Sequence, residues 1–501
     1  MTSSAAAISR TGPDGSWFLR RGIWAYVFPA VLALFMSLAG SWRPSLWRDE
    51  TASVSAATRP WGELPHLLSN VDAVHGVYYA LLHPVASLSL ANWWLRLPSA
   101  LAVAVTAALV VNLGNQLSDA RTGVAAAVFW GLLPLSSRYG QEARSTALGV
   151  MLSLAGTTFL VEALRRRRVG WWIAYAALLT VSGYVFLFSL LAITGHAVVV
   201  LVAKTGGHRS VRRFLGSVMA TALLVLPLLL VSRTELAGQL SWATARPTLD
   251  DVGSLAYYLW FSSPRLALVM WLLVAVGVLT AVVPRRQRRS LLVAVGLGLS
   301  LLPPSLLLLL SLARPLFANR YVAGGAVYLC LLAGFGVTRA RGRWAIAVPT
   351  IAAVVISGLA APQWRQDRTL TGHSESPEAV AEVLRSESRP GDGLVFRPIL
   401  LRTDATAWPG SFAGLTDLGL ETSPQTSGTL TGTDVENRVF MQRLTKVQRV
   451  WVIRLTGNRP LTADAIGQRS ALDAAGFRTA RSWLEGQTAL DLTTRSGRTT
   501  S

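Results

Sequence analysis

Long apolar runs separated by short polar segments occupy the chain up to residue 361. About 20 apolar residues in helical conformation cross the hydrocarbon core of a bilayer, so runs of this length are typical of transmembrane helices. The pattern predicts about eleven spanning helices, near residues 23–40, 98–117, 123–137, 146–164, 171–184, 187–203, 215–232, 265–283, 291–312, 322–338 and 344–361.

The polar segments between these runs predict the orientation in the membrane. Arginine clusters such as "RRRR" at 165–168 and "RRQRR" at 285–289 fall in every second connection. Cytoplasmic loops of membrane proteins carry the excess of Lys and Arg. The pattern therefore predicts a multi-pass plasma-membrane protein with a cytoplasmic N-terminus. The first run is long for a secretory signal, so we interpret it as an uncleaved anchor.

The composition changes at Gln363, where the apolar runs stop and Ser, Thr, Asp and Arg become frequent. An odd number of spans would send this region to the outer side. The sequence thus predicts two domains, a transmembrane domain over 1–361 with a long first outer loop at 41–97, and an extracytoplasmic α/β domain over 362–501. The polar residues "TTRSGRTTS" at the end of the second domain are expected to be disordered.

Alternation and capping signals predict the elements of this outer domain. "SPEAVAEVLRSESRPGDGLVF" reads as a helix capped at Ser376, followed by a Pro-Gly turn and a buried strand. The segments "RVWVIRL" at 449–455 and "TALDLTT" at 488–494 read as two further strands. Between them, "ALDAAGF" predicts a helix.

The composition excludes several classes of function. The chain has 501 residues, of which 51% are hydrophobic and only 15% are charged. Its net charge of +21 comes from clusters of basic residues beside apolar runs. This distribution is typical of the loops of a membrane protein and not of a nucleic-acid-binding face. The single cysteine, Cys330, lies inside an apolar run, so the chain has neither a disulfide framework nor a thiolate metal site.

Chemistry-bearing side chains concentrate in the predicted outer loops. Charged groups are costly at membrane depth, so their grouping at one side predicts a wet cavity or interface there. Asp49 is the strongest candidate, because an acid beside another acid at a helix exit has no structural task that Asn would not perform. Arg96 is interpreted as reaching toward lipid headgroups. The candidate site residues are Arg48, Asp49 and Glu50 in "WRDE", Asp72 and His75 in "DAVHG", Arg138, Glu142 and Arg144 in "SSRYGQEARS", and Arg320 and Tyr321 in "NRY".

The combination of "WRDE", "DAVHG", "RLPSALA", "EAR" and "NRY" resembles the GT-C membrane glycosyltransferases. The resemblance covers roughly the transmembrane domain and is strongest to glycosyltransferase family 39, which includes the protein O-mannosyltransferases and the aminoarabinose transferase of lipid A. Within that family it is strongest to an actinobacterial branch. Two features depart from the family pattern, namely "HGVYY" in place of a His-Pro element and Thr51 after the acidic pair.

The resemblance implies an enzyme that transfers a sugar from a polyprenyl-phosphate carrier to an acceptor hydroxyl outside the cytoplasm, with inversion. Mannose is the favoured sugar and arabinose the next. The acceptor would be a glycan, a lipid or a protein of the cell envelope, and membrane lipids would surround the enzyme.

The same resemblance implies roles for the candidate residues. Asp49 would be the general base, and Glu50 would either hold the geometry of the acidic pair or share its proton. Three arginines, Arg138, Arg144 and Arg320, would receive the charge of the departing phosphate. Asp72 and His75 would bind sugar hydroxyls or, with Asp49, a divalent cation. The expected substrate site also includes Arg48, Glu142 and Tyr321.

Two other functions fit a polar multi-span protein. A transporter or flippase for a lipid-linked cell-envelope precursor would place its polar site near the membrane midplane, whereas here the polar residues lie at one side of the spans. A non-catalytic scaffold would tolerate the loss of Asp49. The sequence has no glycine-rich phosphate loop between a strand and a helix, which argues against a nucleotide-sugar donor.

Overall fold

The computed structural model of the chain describes residues 22–203, 207–239, 246–254, 260–282, 287–456 and 463–495. The N-terminal segment expected in the cytoplasm, part of the arginine cluster at 285–289 and the expected disordered end lie outside the described residues. Within the described part, a large helical bundle is followed by a small domain that contains a five-stranded sheet.

The helices of the bundle follow the apolar runs closely, because each run has the length and composition to form a helix. Short 3₁₀ turns at Ala73–His75, Leu187–Leu191 and Asn319–Val322 interrupt the connections. The helices are α1 (Trp24–Leu38), α2 (Arg48–Ala57), α3 (Leu64–Leu68), α4 (Gly76–Leu88), α5 (Asn92–Leu95), α6 (Leu97–Leu117), α7 (Ala120–Leu132), α8 (Pro134–Gly140), α9 (Thr146–Arg166), α10 (Val169–Val185), α11 (Ala192–Ala203), α12 (Gly207–Gln239), α13 (Leu249–Ser254), α14 (Pro264–Val282), α15 (Gln287–Ala313), α16 (Gly325–Val337) and α17 (Trp344–Asp367).

Each of the eleven predicted apolar runs coincides with helical structure. In the described part of the chain, six helices are long and apolar enough to cross a membrane, namely α6, α9, α12, α14, α15 and α17. Four shorter apolar segments are α1, α10, α16 and the helical stretch Leu187–Ala203. These helices identify an α-helical polytopic membrane protein, and the number of eleven spans stays a prediction.

The buried centre of the bundle is α16. All thirteen residues of this helix are buried, and it packs against α7, α14 and α15. The outer helices, by contrast, expose large apolar side chains such as Phe28, Leu223 and Leu272. An exposed apolar surface of this extent on helices of membrane-spanning length is the surface that faces lipid acyl chains.

Glycines allow two neighbouring helices to approach each other closely. A Cβ atom added to Gly123 of α7 would lie 2.4 Å from the carbonyl oxygen of Val111 in α6, and one added to Gly114 would lie 2.4 Å from the Cα of Gly123. Small residues serve this purpose in membrane proteins, where helix association depends on van der Waals packing more than on the hydrophobic effect.

The C-terminal domain has a five-stranded sheet with the strand order β2-β1-β5-β7-β6. Strands β2, β1 and β5 are parallel, whereas β7 pairs antiparallel with both β5 and β6. The strands are β1 (Gly393–Arg397), β2 (Thr416–Asp417), β3 (Leu420–Thr422), β4 (Thr433–Asp434), β5 (Arg449–Leu455), β6 (Phe477–Glu485) and β7 (Thr488–Arg495), and the helices are α18 (Pro377–Glu387), α19 (Asp404–Ala407), α20 (Pro409–Phe412), α21 (Pro424–Ser427), α22 (Asn437–Leu444) and α23 (Ala463–Ala474), with a 3₁₀ turn at Ile399–Thr403.

The elements predicted for this domain are present. The segment 449–455 is β5 with the predicted bounds, and 488–494 lies within β7. Ser376 precedes α18 as predicted, but its hydroxyl makes no capping hydrogen bond. The exposed strand β6 and the two-stranded sheet of β3 and β4 are not among the predicted elements, because neither has a clear apolar alternation.

The C-terminal domain packs directly on α2, the helix that carries the acidic pair. The hydroxyl groups of Thr51 and Thr403 are 2.8 Å apart, and the Ser55 hydroxyl donates to the carbonyl oxygen of Leu430. At the far end of α2, Arg59 donates to the carbonyl oxygen of Pro424 at 3.1 Å. The end of the bundle at which α2 lies is called the Asp49 end below.

We predict that Gly123→Ala destabilises the protein, because the added methyl group would overlap backbone atoms of α6 that cannot move aside without displacing the helix. Overpacking of this kind costs about 1–3 kcal/mol. Thermal unfolding of the purified protein in detergent would measure the loss. The matched control is Gly358→Ala in α17, where an added Cβ would meet no atom within 4 Å. Equal unfolding temperatures for the two variants would contradict the prediction.

Candidate active site

The acidic pair lies at the start of α2, between the helical bundle and the C-terminal domain. Eight of the ten residues of α2, from Glu50 to Ala57, are buried. The sequence "TASVSAA" explains this position, because small side chains let one helix pack closely on both of its neighbours. Asp49 is the acid that keeps access to solvent, with 19% of its side chain exposed.

Two arginines from distant parts of the chain bind the Asp49 carboxylate. Arg320 donates from Nη1 to Oδ2 at 3.0 Å, and Nη2 of Arg144 lies 3.7 Å from the same oxygen. Arg144 also donates to the backbone oxygen of Asp49 at 3.1 Å and to the hydroxyl of Ser53 at 3.3 Å. Among the described residues, none donates a hydrogen bond to Oδ1 of Asp49. One oxygen of the carboxylate is thus held by cations while the other remains free to accept a proton.

The first outer loop brings His75 and Asp72 to the same cluster. Nη2 of Arg144 lies 3.4 Å from Nε2 of His75. Since the arginine side chain has only donors, Nε2 of His75 must be the acceptor. Burial and the charges of Arg144 and Arg320 hold the pKa of His75 well below its usual range, so the ring is neutral. Tyr79 donates to Oδ2 of Asp72 at 2.7 Å, and burial raises the pKa of Asp72.

Asp72 is also conformationally unusual, because its φ of 61° lies in the left-handed region that non-glycine residues seldom adopt. The next residue, Ala73, donates its backbone N–H to Oε2 of Glu235 at 3.1 Å. These contacts fix the turn that precedes His75. The strained turn therefore determines where His75 meets Arg144.

The geometry of these acids does not fit a metal centre. No group of three or more His, Cys, Asp or Glu side chains in the described part of the chain is arranged to hold a metal ion. Guanidinium groups contact Oδ2 of Asp49, and the Tyr79 hydroxyl contacts Asp72. The positive charge beside Asp49 is supplied by Arg144 and Arg320.

Glu50 is buried completely and forms a bidentate ion pair with Arg96. Arg96 donates from Nε to Oε1 at 2.9 Å and from Nη2 to Oε2 at 2.7 Å. The backbone N–H groups of Ala143 and Trp47 donate to the remaining lone pairs at 2.7 and 3.3 Å. All four acceptor positions of the carboxylate are occupied, which favours the geometry-holding role for Glu50 over proton sharing.

The interpretation of Arg96 as a residue that reaches toward lipid headgroups is wrong. Its side chain is fully buried and donates to the carbonyl oxygens of Ser41, Pro44 and Ser45 at 2.6, 2.9 and 3.1 Å, in addition to Glu50. All five N–H donors of the guanidinium therefore have acceptors. Arg96 ties the segment between α1 and α2 to the carboxylate.

Arg138 and Glu142 form a second cluster that makes no contact with Asp49 among the described residues. Nε of Arg138 lies 3.6 Å from Oε1 of Glu142, and its Nη1 lies 3.5 Å from Oδ1 of Asp367 at the end of α17. Nδ1 of His373, in the connection to the C-terminal domain, is 3.7 Å from Oε1 of Glu142. Burial raises the pKa of Glu142 to about 7, although Arg138 opposes the shift.

Two further candidates face other partners. Arg48 contacts Glu375 of the C-terminal domain twice at 3.0 Å, through its backbone N–H and through Nε. Tyr321 stacks on Phe188 with ring centroids 3.7 Å apart, and the Arg320 guanidinium lies over its ring. Both residues fix neighbours of the Asp49 cluster.

Sequence reasoning missed Arg96, Glu375 and His373, because their partners are distant in sequence and only the fold joins them.

We predict that Arg96→Met destabilises the protein strongly, because it leaves the Glu50 carboxylate buried without a counter-charge. Breaking a buried pair in this way costs about 3–5 kcal/mol. Thermal unfolding in detergent would show the loss, and Glu50→Gln in the same chain should recover part of it. The control is Arg385→Met, which removes one side of the exposed pair Arg385–Glu382 and should leave the unfolding temperature almost unchanged, because water screens exposed ion pairs. A small effect of Arg96→Met would contradict the prediction.

We predict that Glu142→Gln changes the pH dependence of stability. The folded protein holds a proton on Glu142 up to about pH 7, whereas the side chain ordinarily releases it near 4.5. Stability therefore falls as the pH rises between these values, because the folded state binds more protons there. Gln cannot ionise, so the variant should gain unfolding temperature relative to wild type from pH 5 to pH 8. Glu382→Gln, an exposed residue, is the control, and parallel profiles for Glu142→Gln and wild type would contradict the assignment.

Comparisons with known proteins agree with this architecture. The profile of a family described as dolichyl-phosphate-mannose-protein mannosyltransferase matches residues 77–232. The search of curated proteins finds no match. Among solved structures, ArnT from Cupriavidus metallidurans matches in the apo state with a TM-score of 0.62 and 14% identity, over 95% of this chain and 98% of that chain. The same protein bound to undecaprenyl phosphate matches with a TM-score of 0.61 and 14% identity, over 96% and 98%.

The archaeal oligosaccharyltransferase AglB from Archaeoglobus fulgidus, in complex with an inhibitory peptide and a dolichol-phosphate, is more distant. It matches with a TM-score of 0.53 and 10% identity, over 95% of this chain and 74% of that chain. The similarity in fold thus extends through the bundle and the C-terminal domain. The chain therefore shares the fold of ArnT and AglB, and its residues 77–232 match the profile of the dolichyl-phosphate-mannose-protein mannosyltransferase family.

Proposed function

We propose that the chain transfers a sugar from a polyprenyl-phosphate carrier to an acceptor hydroxyl at the Asp49 end of the bundle, with inversion at the anomeric carbon. The observation that carries this proposal is the Asp49 carboxylate held on one oxygen by Arg144 and Arg320. A base and two cations within one cluster are what the transfer of a phosphate-linked sugar requires.

The proposed reaction is a single displacement. The acceptor hydroxyl oxygen forms a bond to the anomeric carbon as the bond from that carbon to the phosphate oxygen breaks. The proton of the hydroxyl passes to Oδ1 of Asp49, and the electron pair of the breaking bond goes to the phosphate. Arg144 and Arg320 stabilise the negative charge that develops there, and since a phosphate is a weak base the step needs no strong general acid.

The surrounding residues hold this arrangement. In the proposed site, neutral His75 orients Arg144, and Asp72 fixes the turn that carries His75. Glu50 holds α2 in place through Arg96 and serves as a positioning residue. Arg138 and Glu142 lie beside the cluster, where the partly exposed Arg138 guanidinium would contact the outer part of the donor or the acceptor.

The proposed donor is lipid-linked because a GT-C fold supports it and because the solved relative ArnT is known with undecaprenyl phosphate bound. Mannose is the first candidate sugar, in line with the family that matches residues 77–232, and arabinose is the second. The acceptor would be a glycan, lipid or protein hydroxyl. The Asp49 end would face outside the cytoplasm, since basic residues such as Arg165, Arg166 and Arg343 gather at the opposite end of the bundle.

We predict that Asp49→Asn lowers sugar transfer by about 10²–10⁴-fold, because the amide cannot accept the hydroxyl proton. The measurement is the transfer of radiolabel from polyprenyl-phosphate mannose, and in parallel from polyprenyl-phosphate arabinose, in membranes that contain wild type or variant. Asp250→Asn, at an exposed position of α13, is the matched control and should leave the rate unchanged.

The outcomes of this experiment separate the candidate functions. Equal labelling by wild type and Asp49→Asn would overturn the general-base role. Label that crosses the membrane without joining an acceptor would indicate a flippase. The sugar that is transferred by wild type and lost in Asp49→Asn would identify the donor. Western blotting of the membrane fraction checks that each variant is inserted at the same level.

A further inference from the structure

A basic cavity lies at the Asp49 end, between the ends of the first and last helices of the bundle. It has a volume of about 660 Å³ and opens to the surface between the segment after α1 and the end of α17. Three of its six lining residues are arginines and none is acidic. The lining residues are Trp42, Arg43, Arg365, Arg368, Thr369 and Leu370.

The arginines of this cavity have different tasks. Arg368 donates to the carbonyl oxygens of Met36 and Ala39 at 2.6 Å, and so joins α17 to the end of α1. Arg43 and Arg365 are exposed, and neither forms an ion pair or hydrogen bond through its side chain with the described residues. The nearest acid in α17, Asp367, is buried and faces Arg138. The cavity therefore keeps a net positive charge that an anion would neutralise.

An apolar cavity of about 350 Å³ adjoins the basic one and shares Trp42 with it. Its other lining residues are Leu38, Ser41 and Trp93. Beneath the two cavities, α1 exposes Phe35 and Phe28 toward the lipid. A tryptophan between a basic pocket and an apolar surface is the arrangement found where membrane proteins meet the polar headgroup layer.

The position of the cavity separates it from the Asp49 cluster. The segment from Ser41 to Pro44 lies between them. Its residues Ser41, Trp42 and Arg43 line the two cavities, whereas the carbonyl oxygens of Ser41 and Pro44 bind the buried Arg96 on the other side. A phosphate bound at Arg43 would therefore lie on the far side of the Arg96–Glu50 pair from the proposed reaction centre. It would not be the leaving phosphate of the transfer.

We propose that this basic cavity binds the phosphate of an anionic glycerophospholipid from the surrounding leaflet. The phosphate would contact Arg43 and Arg365, and an acyl chain would lie in the apolar cavity and along α1. Anionic lipid headgroups bind basic pockets between transmembrane helices in this way. Occupation would brace the segment from Ser41 to Pro44 that Arg96 holds, so the lipid would also support the transfer activity; this last step rests on the proposed function.

The test uses the purified full-length protein in detergent with phosphatidylglycerol or phosphatidylcholine added, and native mass spectrometry to count retained lipids. Wild type should retain phosphatidylglycerol, and the double variant Arg43→Gln/Arg365→Gln should bind it about tenfold more weakly, a change of about 1.4 kcal/mol. The control Arg469→Gln/Arg478→Gln removes the same charge from exposed positions of the C-terminal domain and should behave as wild type.

Equal retention of phosphatidylglycerol by wild type and the cavity variant would overturn the proposal. Wild type that binds phosphatidylcholine as tightly as phosphatidylglycerol would overturn it too. A third arm adds polyprenyl phosphate. If wild type bound this lipid more tightly than phosphatidylglycerol, and the cavity variant did not bind it, the cavity would be reassigned to the lipid carrier of the sugar. Transfer assays in nanodiscs of each phospholipid test the functional part, since phosphatidylglycerol should stimulate wild type and not the cavity variant. The binding arm stands even if no transfer is detected, so failure of the proposed function would be recognised separately.

Discussion

The buried ion pair between Glu50 and Arg96 is the interaction on which the Asp49 end of this protein depends. Two charges removed from water are tolerable only when every donor and acceptor is satisfied. Here the guanidinium and the carboxylate bind each other and backbone groups at Ser41, Pro44 and Ala143. The pair thereby joins the segment between α1 and α2, the helix α2 itself and the loop that carries Arg144 at a single point.

Asp49 differs from Glu50 although the two are adjacent, because successive residues of a helix point in different directions. Glu50 faces the bundle, where every lone pair is used. Asp49 is partly exposed to solvent, and Arg144 and Arg320 bind one of its carboxylate oxygens and leave the other without a donor among the described residues. The different surroundings of the two acids, one buried and fully paired and one partly exposed, thus follow from the geometry of one helical turn.

The C-terminal domain is part of the site and not an appendage. Through Glu375 and Thr403 it contacts the residues on either side of the acidic pair, and α2 is held between this domain and the bundle. Since α2 is made mostly of small residues, its position is set by the surfaces of the bundle and the C-terminal domain more than by its own side chains. The orientation of Asp49 is consequently a property of both domains together.

The sequence by itself determined the helices, the elements of the outer domain such as β5, and the polar residues that would carry the chemistry. Apolar runs of membrane length and the alternation of a strand are local patterns, so they can be read without knowledge of the fold. Asp49, His75, Arg144 and Arg320 were all candidates, and the structure brings these four into one cluster.

Only the tertiary structure decided which candidates meet and which face away. Arg138 and Glu142 belong to a separate cluster with Asp367, and Arg96 is a buried partner of Glu50 instead of a headgroup ligand. These outcomes depend on contacts between residues tens to hundreds of positions apart, such as Arg48 with Glu375. No spacing rule reports such contacts, because the direction of a charged side chain is set by the partner that the fold places opposite it.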